Sequence, residues 1–418
     1  MNVKRLAAAA LVGGAPALVA LGSAVIGSNA ALQATQSIEP STNSKTKRLD
    51  GKSIFRYDTF GDEQLWTNVL RMQEVVGKVS PATALAVGLK VDVDALPQGV
   101  VKAIRRNAVD LDDPAVTQAL LQLNAVVGIK GTFDESGKLA TIGVTCALCH
   151  SSVDDSLAQG IGHRLDGWAS GDLNVGAIVA LSPALDEETR AEFSAWGPGM
   201  YDPRHHTFDG TNINPLNSPS VPVRIPSIYG LKGAGFETYT ADGPISYWNA
   251  YVGVSQMGGH GTFIDPRIGV SITQTPDLVT PRLPALLAYQ LSLNTPEAPN
   301  GSFDKKAADR GEALFRGQAR CSTCHLGPNF TDVLAGPDPA VPFLHYAAEV
   351  GTDPVYAERS ATGKYRTTPL RGLWQHPAYF HDGSAADLRA VVDHYDQLFS
   401  LGLSESQKVD LVEYLKTL

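Results

Sequence analysis

Cysteine and methionine are the scarce residues of this chain, four of each in 418. Four cysteines are too few for the disulfide framework of a small secreted domain, and a single motif consumes them all. The methionines are Met1, Met72, Met200 and Met257, so no thioether is available from residue 258 onward. Positive charge is also short: 34 Lys and Arg against 43 Asp and Glu leave a formal charge of -9. That balance excludes nucleic acid as a partner. After residue 27 no apolar run reaches the about 20 residues of a membrane span.

What the cysteines do form is one pattern twice, Cys146-Ala-Leu-Cys149-His150 and Cys321-Ser-Thr-Cys324-His325. Cys-x-x-Cys-His is the attachment site of c-type haem. Two thiols at that spacing add to the two vinyl groups of one porphyrin, and the histidine behind them coordinates the iron. A redox dithiol needs no following histidine, and zinc clusters gather their pairs within a few tens of residues. The expected cofactors are therefore two covalently bound haem c groups, with His150 and His325 as iron ligands. No other tandem repeat is visible.

The amino terminus predicts export. A short basic segment, residues 1–5, precedes an apolar run at 6–27, and small residues around Ala30 suit signal cleavage. The run is long enough to stay as an anchor, but Gly13, Gly14, Pro16 and Gly22 weaken it as a permanent helix. The expectation is a 1–30 signal peptide that is removed, with no stable membrane span afterwards. The protein is then expected in the periplasm, where haem is attached to such motifs.

Further along, 31–51 reads as a flexible tether, 52–144 as an extension packed on the first haem domain, 145–300 as that reactive domain and 301–418 as a second, electron-transfer cytochrome c domain. The fold class expected is mainly α, with long loops and a small β-hairpin in the extension. Leu65, Trp66, Val69, Leu70, Val75 and Val76 form a stripe at helical spacing behind Asp62 and Glu63, with Met72 packing beside them. The runs 125–133 and 138–144 read as hairpin strands leading to Cys146. A Pro-, Gly- and Asn-rich stretch makes 196–222 a long loop insertion. Within it, 209–214 is a candidate calcium loop that lacks the EF-hand pattern and reads better as a turn. His205 and His206, being adjacent, are assigned to the surface. Helices are expected over 283–293, 305–317 and 404–418, the last burying Val409, Leu411, Val412 and Leu415.

The sixth position of each iron decides between electron carriage and ligand chemistry. A local methionine is excluded for the second haem. Ser384 to Asp387 resembles a capping box opening a helix, on which Leu388, Val391, Val392 and Tyr395 share one face, with His394 at its edge. By periodicity alone Tyr395 is equally well a core aromatic.

Tyr365-Arg-Thr-Thr-Pro-Leu-Arg371 followed by Tyr379-Phe-His-Asp-Gly-Ser384 resembles the carboxy-terminal signature of the bacterial di-haem cytochrome c peroxidase superfamily. That superfamily includes the methylamine dehydrogenase maturation enzyme and, more distantly, the di-haem rubber oxygenases. The likeness runs from about Cys146 to the end. Counted from His381, it implies a His325/Tyr395 ligand pair, with His394 as competitor. It also makes Trp248, after Tyr247, an electron relay between the haems, and Gln256 a distal-pocket residue of the first haem. His260 falls above that iron, and His163 resembles a removable ligand but lies three residues early. The peroxidatic glutamate has no counterpart, and Asp265 is the nearest acid.

Three functions are compatible with this resemblance. The leading one is a peroxidase-like oxidoreductase that reacts with peroxide or oxygen at the first haem. The others are an oxygenase cleaving an organic substrate and a non-catalytic electron-transfer cytochrome. The expected partner is an electron-donor or -acceptor protein, such as a small cytochrome or cupredoxin, or an organic substrate.

Overall fold

Why the chain folds as it does is clearest where backbones touch. The computed structural model describes residues 49–216, 218–333 and 344–418; the expected signal peptide and the tether up to residue 48 lie outside the described residues. Helix Gly51–Tyr57 starts at Asp50, whose carboxylate accepts the Lys52 and Ser53 amides. It lies against helix Leu283–Gln290, so closely that a Cβ on Gly51 would sit 2.0 Å from the Ala285 carbonyl oxygen. Phe55 and Tyr289 close the contact with ring centroids 5.6 Å apart.

The stripe at 65–76 is not one helix. A π-helical turn spans Gln64–Val69, Arg71 takes a left-handed φ of 56°, and a short helix follows at Gln73–Val76. Tertiary contacts override the period: the Trp66 indole donates to the Met257 carbonyl at 3.0 Å, and Thr67 exchanges hydrogen bonds with Ile142 at 2.9 and 2.8 Å. Met72 is buried in the core.

Strands Ile129–Phe133 and Leu139–Val144 pair antiparallel and carry the chain to Cys146. Gly128 allows this approach, since a Cβ there would meet the Leu148 backbone at 2.2 Å. The single expected hairpin is one of seven two-stranded sheets among the described residues. Two of them organise the insertion: Met200–Tyr201 pairs with Val223–Arg224, and His206–Phe208 with Ile213–Pro215. Strands of two or three residues are too short for alternation to declare them in the sequence.

The carboxy-terminal region builds its own core. Helices Lys305–Arg316 and Glu405–Leu415 cross at Gly311, where a Cβ would stand 2.0 Å from the Asp410 carbonyl oxygen. Phe315, Leu388, Val392, Leu411, Tyr414 and Leu415 pack together there. Val409, expected inside, is 50% exposed, and Tyr414 supplies the buried contact. Helix Leu388–Phe399 begins at Asp387, which caps the Ala390 amide; Ser384 plays no part. The larger core runs from Ile54 to Leu286 and includes both the extension and the surroundings of the first motif. No helix among the described residues is long and apolar enough to cross a membrane.

Candidate functional site

At the first motif, helix Ala147–His150 follows Cys146 directly. Burial pushes the Cys146 and Cys149 thiols up to about 12. A reactive dithiol shows the opposite, a depressed pKa. The His150 Nδ1–H donates to the Pro226 carbonyl at 3.0 Å, and burial lowers the ring to about 4. It is therefore a neutral imidazole whose Nε2 lone pair is free, the tautomer that haem ligation needs.

Asp62, read from the sequence only as a first-turn acid, is fully buried beside this motif. Its two carboxyl oxygens share one donor, the Val144 amide at 3.2 and 3.1 Å. Burial, with the Glu63 carboxylate next to it, raises Asp62 well above the ordinary carboxylate range. Nothing in its composition or spacing signalled this, because the partner lies 82 residues away.

The candidate catalytic residues fall into three settings. Gln256 is buried at the end of a π-helical turn, where its Oε1 accepts the Tyr201 hydroxyl at 2.9 Å and its Nε2 donates to the His206 carbonyl at 3.2 Å. Tyr201 comes from the insertion and was not foreseen. Asp265 is committed elsewhere, accepting the Tyr247 hydroxyl at 2.7 Å and Arg267 at 2.7 Å. Burial alone would raise its pKa, but these hydrogen bonds outweigh it and hold the carboxyl below its usual range. His260 donates from Nδ1 to the Pro276 carbonyl at 2.7 Å, leaving Nε2 unused. His163 is exposed and pairs with Asp94 at 2.9 Å.

At the second motif a tight turn, Cys321–Thr323, leads to His325. The His325 Nδ1–H donates to the Phe330 carbonyl at 2.9 Å, and burial lowers its pKa. Cys321, Cys324, His325 and Tyr395 line one cavity of about 800 Å³ with a largely apolar wall of Leu388, Val392, Leu403 and Leu411. Size, wall and donor set all suit a haem. Tyr395 lies close to both cysteines, and burial pushes its phenol up to about 12. His394 is turned away, with its Nε2 donating to the Val350 carbonyl at 2.9 Å.

Trp248 is buried. Its indole donates to the Glu237 carbonyl at 3.0 Å, and the buried Glu237 carboxylate pairs with Arg366 at 3.1 Å and Arg371 at 3.2 Å. Both arginines border the second cavity. The two segments that carry the family resemblance also meet in space, the Tyr365 hydroxyl standing 3.0 Å from His381 Nε2, and the Arg224 amide donates to the His381 carbonyl at 2.7 Å.

The structure also corrects the placement of the histidine pair. His205 and His206 are buried, not surface residues, their rings held edge to face at 4.2 Å. In the same insertion, Asp209 accepts from Thr211, Asn212 and Asn214, as a turn aspartate does.

The chain is 32% identical over 161 residues to the methylamine utilization protein MauG of Methylorubrum extorquens, a match covering 32% of this chain and 42% of that protein. It is also 32% identical over 166 residues to a cytochrome-c peroxidase of Pseudomonas sp. (strain SCT), covering 30% and 45%. These part-length matches support the bacterial di-haem cytochrome c peroxidase superfamily. Such relatives imply haem c as cofactor. The chain spans less than half the length of these curated relatives. A solved MauG-like protein associated with microbial copper homeostasis matches 52% of this chain and 85% of its own, at 19% identity and a TM-score of 0.36. No family model matches.

Proposed function

We propose that the protein is an exported, periplasmic di-haem cytochrome acting as a peroxidase-like oxidoreductase. The observation that carries this is the position of Tyr395, which lines the Cys321/Cys324 cavity with His325 while His394 points to the Val350 carbonyl. A phenolate oxygen and an imidazole on one iron favour the ferric state and a low potential, suited to a haem that passes electrons rather than binding small molecules. Reactivity is then assigned to the first motif. Haem bound there supplies the iron at which peroxide or oxygen is reduced.

The chain's own residues do the rest. His150 ligates through Nε2, oriented by the Pro226 carbonyl. Gln256 is oriented by Tyr201 and the His206 carbonyl, and His260 offers Nε2 as a proton acceptor. Trp248, joined through Glu237 to Arg366 and Arg371, relays electrons between the halves. Asp265 acts indirectly, fixing Tyr247 next to Trp248. The unpaired, buried Asp62 carboxyl holds a proton near Cys146. The extension and the insertion, which brings Tyr201 to Gln256, also supply walls for an organic substrate, which favours oxygenase chemistry as the second reading. The external redox partner is a small electron-transfer protein.

Peroxide-dependent oxidation of a reduced small c-type cytochrome tests the main reading. Turnover slowed by Trp248→Phe, with a cyanide-sensitive high-spin ferric signal, supports it. Oxygen uptake only with an organic substrate moves the protein to the oxygenase reading. Two low-spin irons indifferent to cyanide, in the ferric and the half-reduced protein, make it an electron carrier.

A further inference from the structure

Helix Glu187–Ser194 ends against strand His206–Phe208, and three side chains meet there without belonging to either haem motif. Glu192 Oε1 contacts His205 Nε2. The ligand-capable atoms of Glu192, His205 and His206 all lie within 4.8 Å of one another. Both histidines are more than nine-tenths buried, and the Nδ1 atoms of both have no hydrogen-bond partner. Two buried ring nitrogens without partners are costly, because each forfeits hydration without compensation. An apolar stack against Phe193, 5.3 Å from His206, holds the second ring in place.

We propose that Glu192, His205 and His206 form a binding site for a divalent transition-metal ion of the zinc type. Two imidazoles and one carboxylate are a zinc donor set that leaves a fourth position for water. Glu192 is the most accessible of the three donors, its side chain 28% exposed. Hard cations such as calcium prefer an all-oxygen shell, and this site offers mainly nitrogen. Copper(II) suits the same donors and binds more tightly by the Irving–Williams order. Zinc is the cleaner probe because it leaves the haem redox chemistry untouched.

The ion ties the insertion to the body of the protein. His206 also gives its carbonyl to Gln256, so the metal holds the strand that orients a residue beside the first motif. This site does not depend on the peroxidase reading, since its donors are none of the haem ligands.

The test uses the full haem-loaded protein, stripped with a chelator, desalted and titrated with zinc chloride against a chromophoric chelator. The expected result is one zinc retained per chain by elemental analysis and a higher melting temperature with zinc present. Glu192→Gln and His206→Ala should each weaken affinity by about 100-fold or more, at least what loss of an outer-shell partner costs. Glu188→Gln, on the exposed face of the same helix, should leave it unchanged. The Soret spectrum and haem content report folding of each variant. Retention of no zinc, or equal retention by wild type and both ligand variants, overturns the site and leaves Glu192–His205 as a plain ion pair.

Discussion

At both motifs the histidine Nδ1–H donates to a backbone carbonyl, Pro226 at 3.0 Å in one half and Phe330 at 2.9 Å in the other. Beyond that the halves diverge. The first motif is sunk in the main core, with Cys146 and Cys149 packed among residues from the extension. Its polar neighbours, Asp62, Tyr201 and Gln256, come from three distant segments. The second motif opens on a cavity lined by local helices together with segments from the first half, and Tyr395 lines it beside Cys321 and Cys324. The second proximal histidine is held by its own turn and the first by a carbonyl 76 residues away, and the opposite side is assembled from whatever the fold brings near.

Removing the cysteines separates the halves most sharply. Cys321→Ala with Cys324→Ala, or Cys146→Ala with Cys149→Ala, should each lower haem content to about half that of wild type by pyridine haemochrome assay. If either pair leaves it unchanged, the two-site reading fails. Next comes the bridge. Glu237→Gln strands Arg366 and Arg371 and should destabilise the fold by about 3–5 kcal/mol in chemical denaturation. A loss under about 1 kcal/mol, as at an exposed pair, would mean the halves are not tied through this carboxylate.

Tyr395→Phe should raise the potential of one haem by on the order of 100 mV and leave the other unchanged. His394→Ala should move neither in a redox titration. The reverse pattern would hand the ligand role to His394.

The smallest effect concerns Asp62. Its folded pKa lies above the unfolded value of 3.8, so the native state holds the proton more tightly. The stabilisation is complete below pH 3.8 and disappears as pH rises through the folded value. Melting temperature in wild type should therefore fall with rising pH relative to Asp62→Asn, a substitution that removes about 1–3 kcal/mol of that dependence. An identical slope in both proteins would show that Asp62 is ionised in the fold.

Legibility followed the range of the interactions. Helices Lys305–Arg316 and Glu405–Leu415 and the hairpin before Cys146 were readable because caps, turns and period lie within a dozen residues. Segment 65–76 was misread as one helix because Trp66 and Thr67 answer to Met257 and Ile142. The histidine pair was misplaced for a similar reason: spacing separates adjacent side chains, yet a loop folded against helix Glu187–Ser194 buries both rings. Tyr201 was missed because nothing near it in the chain is chemically unusual.

The sequence by itself determined the two haem-attachment motifs, the lack of a methionine ligand after residue 257 and the choice between Tyr395 and His394 as the only local candidates on one helix. Those facts rest on covalent spacing and composition, which folding cannot alter. The tertiary structure alone decided which of the two lines the cavity with His325, that Asp265 is spent on Arg267 and Tyr247, and that Asp62, Tyr201 and the Glu192–His205–His206 cluster are buried where they are. Each depends on contacts between segments far apart in the chain, and a local pattern carries no record of a distant partner.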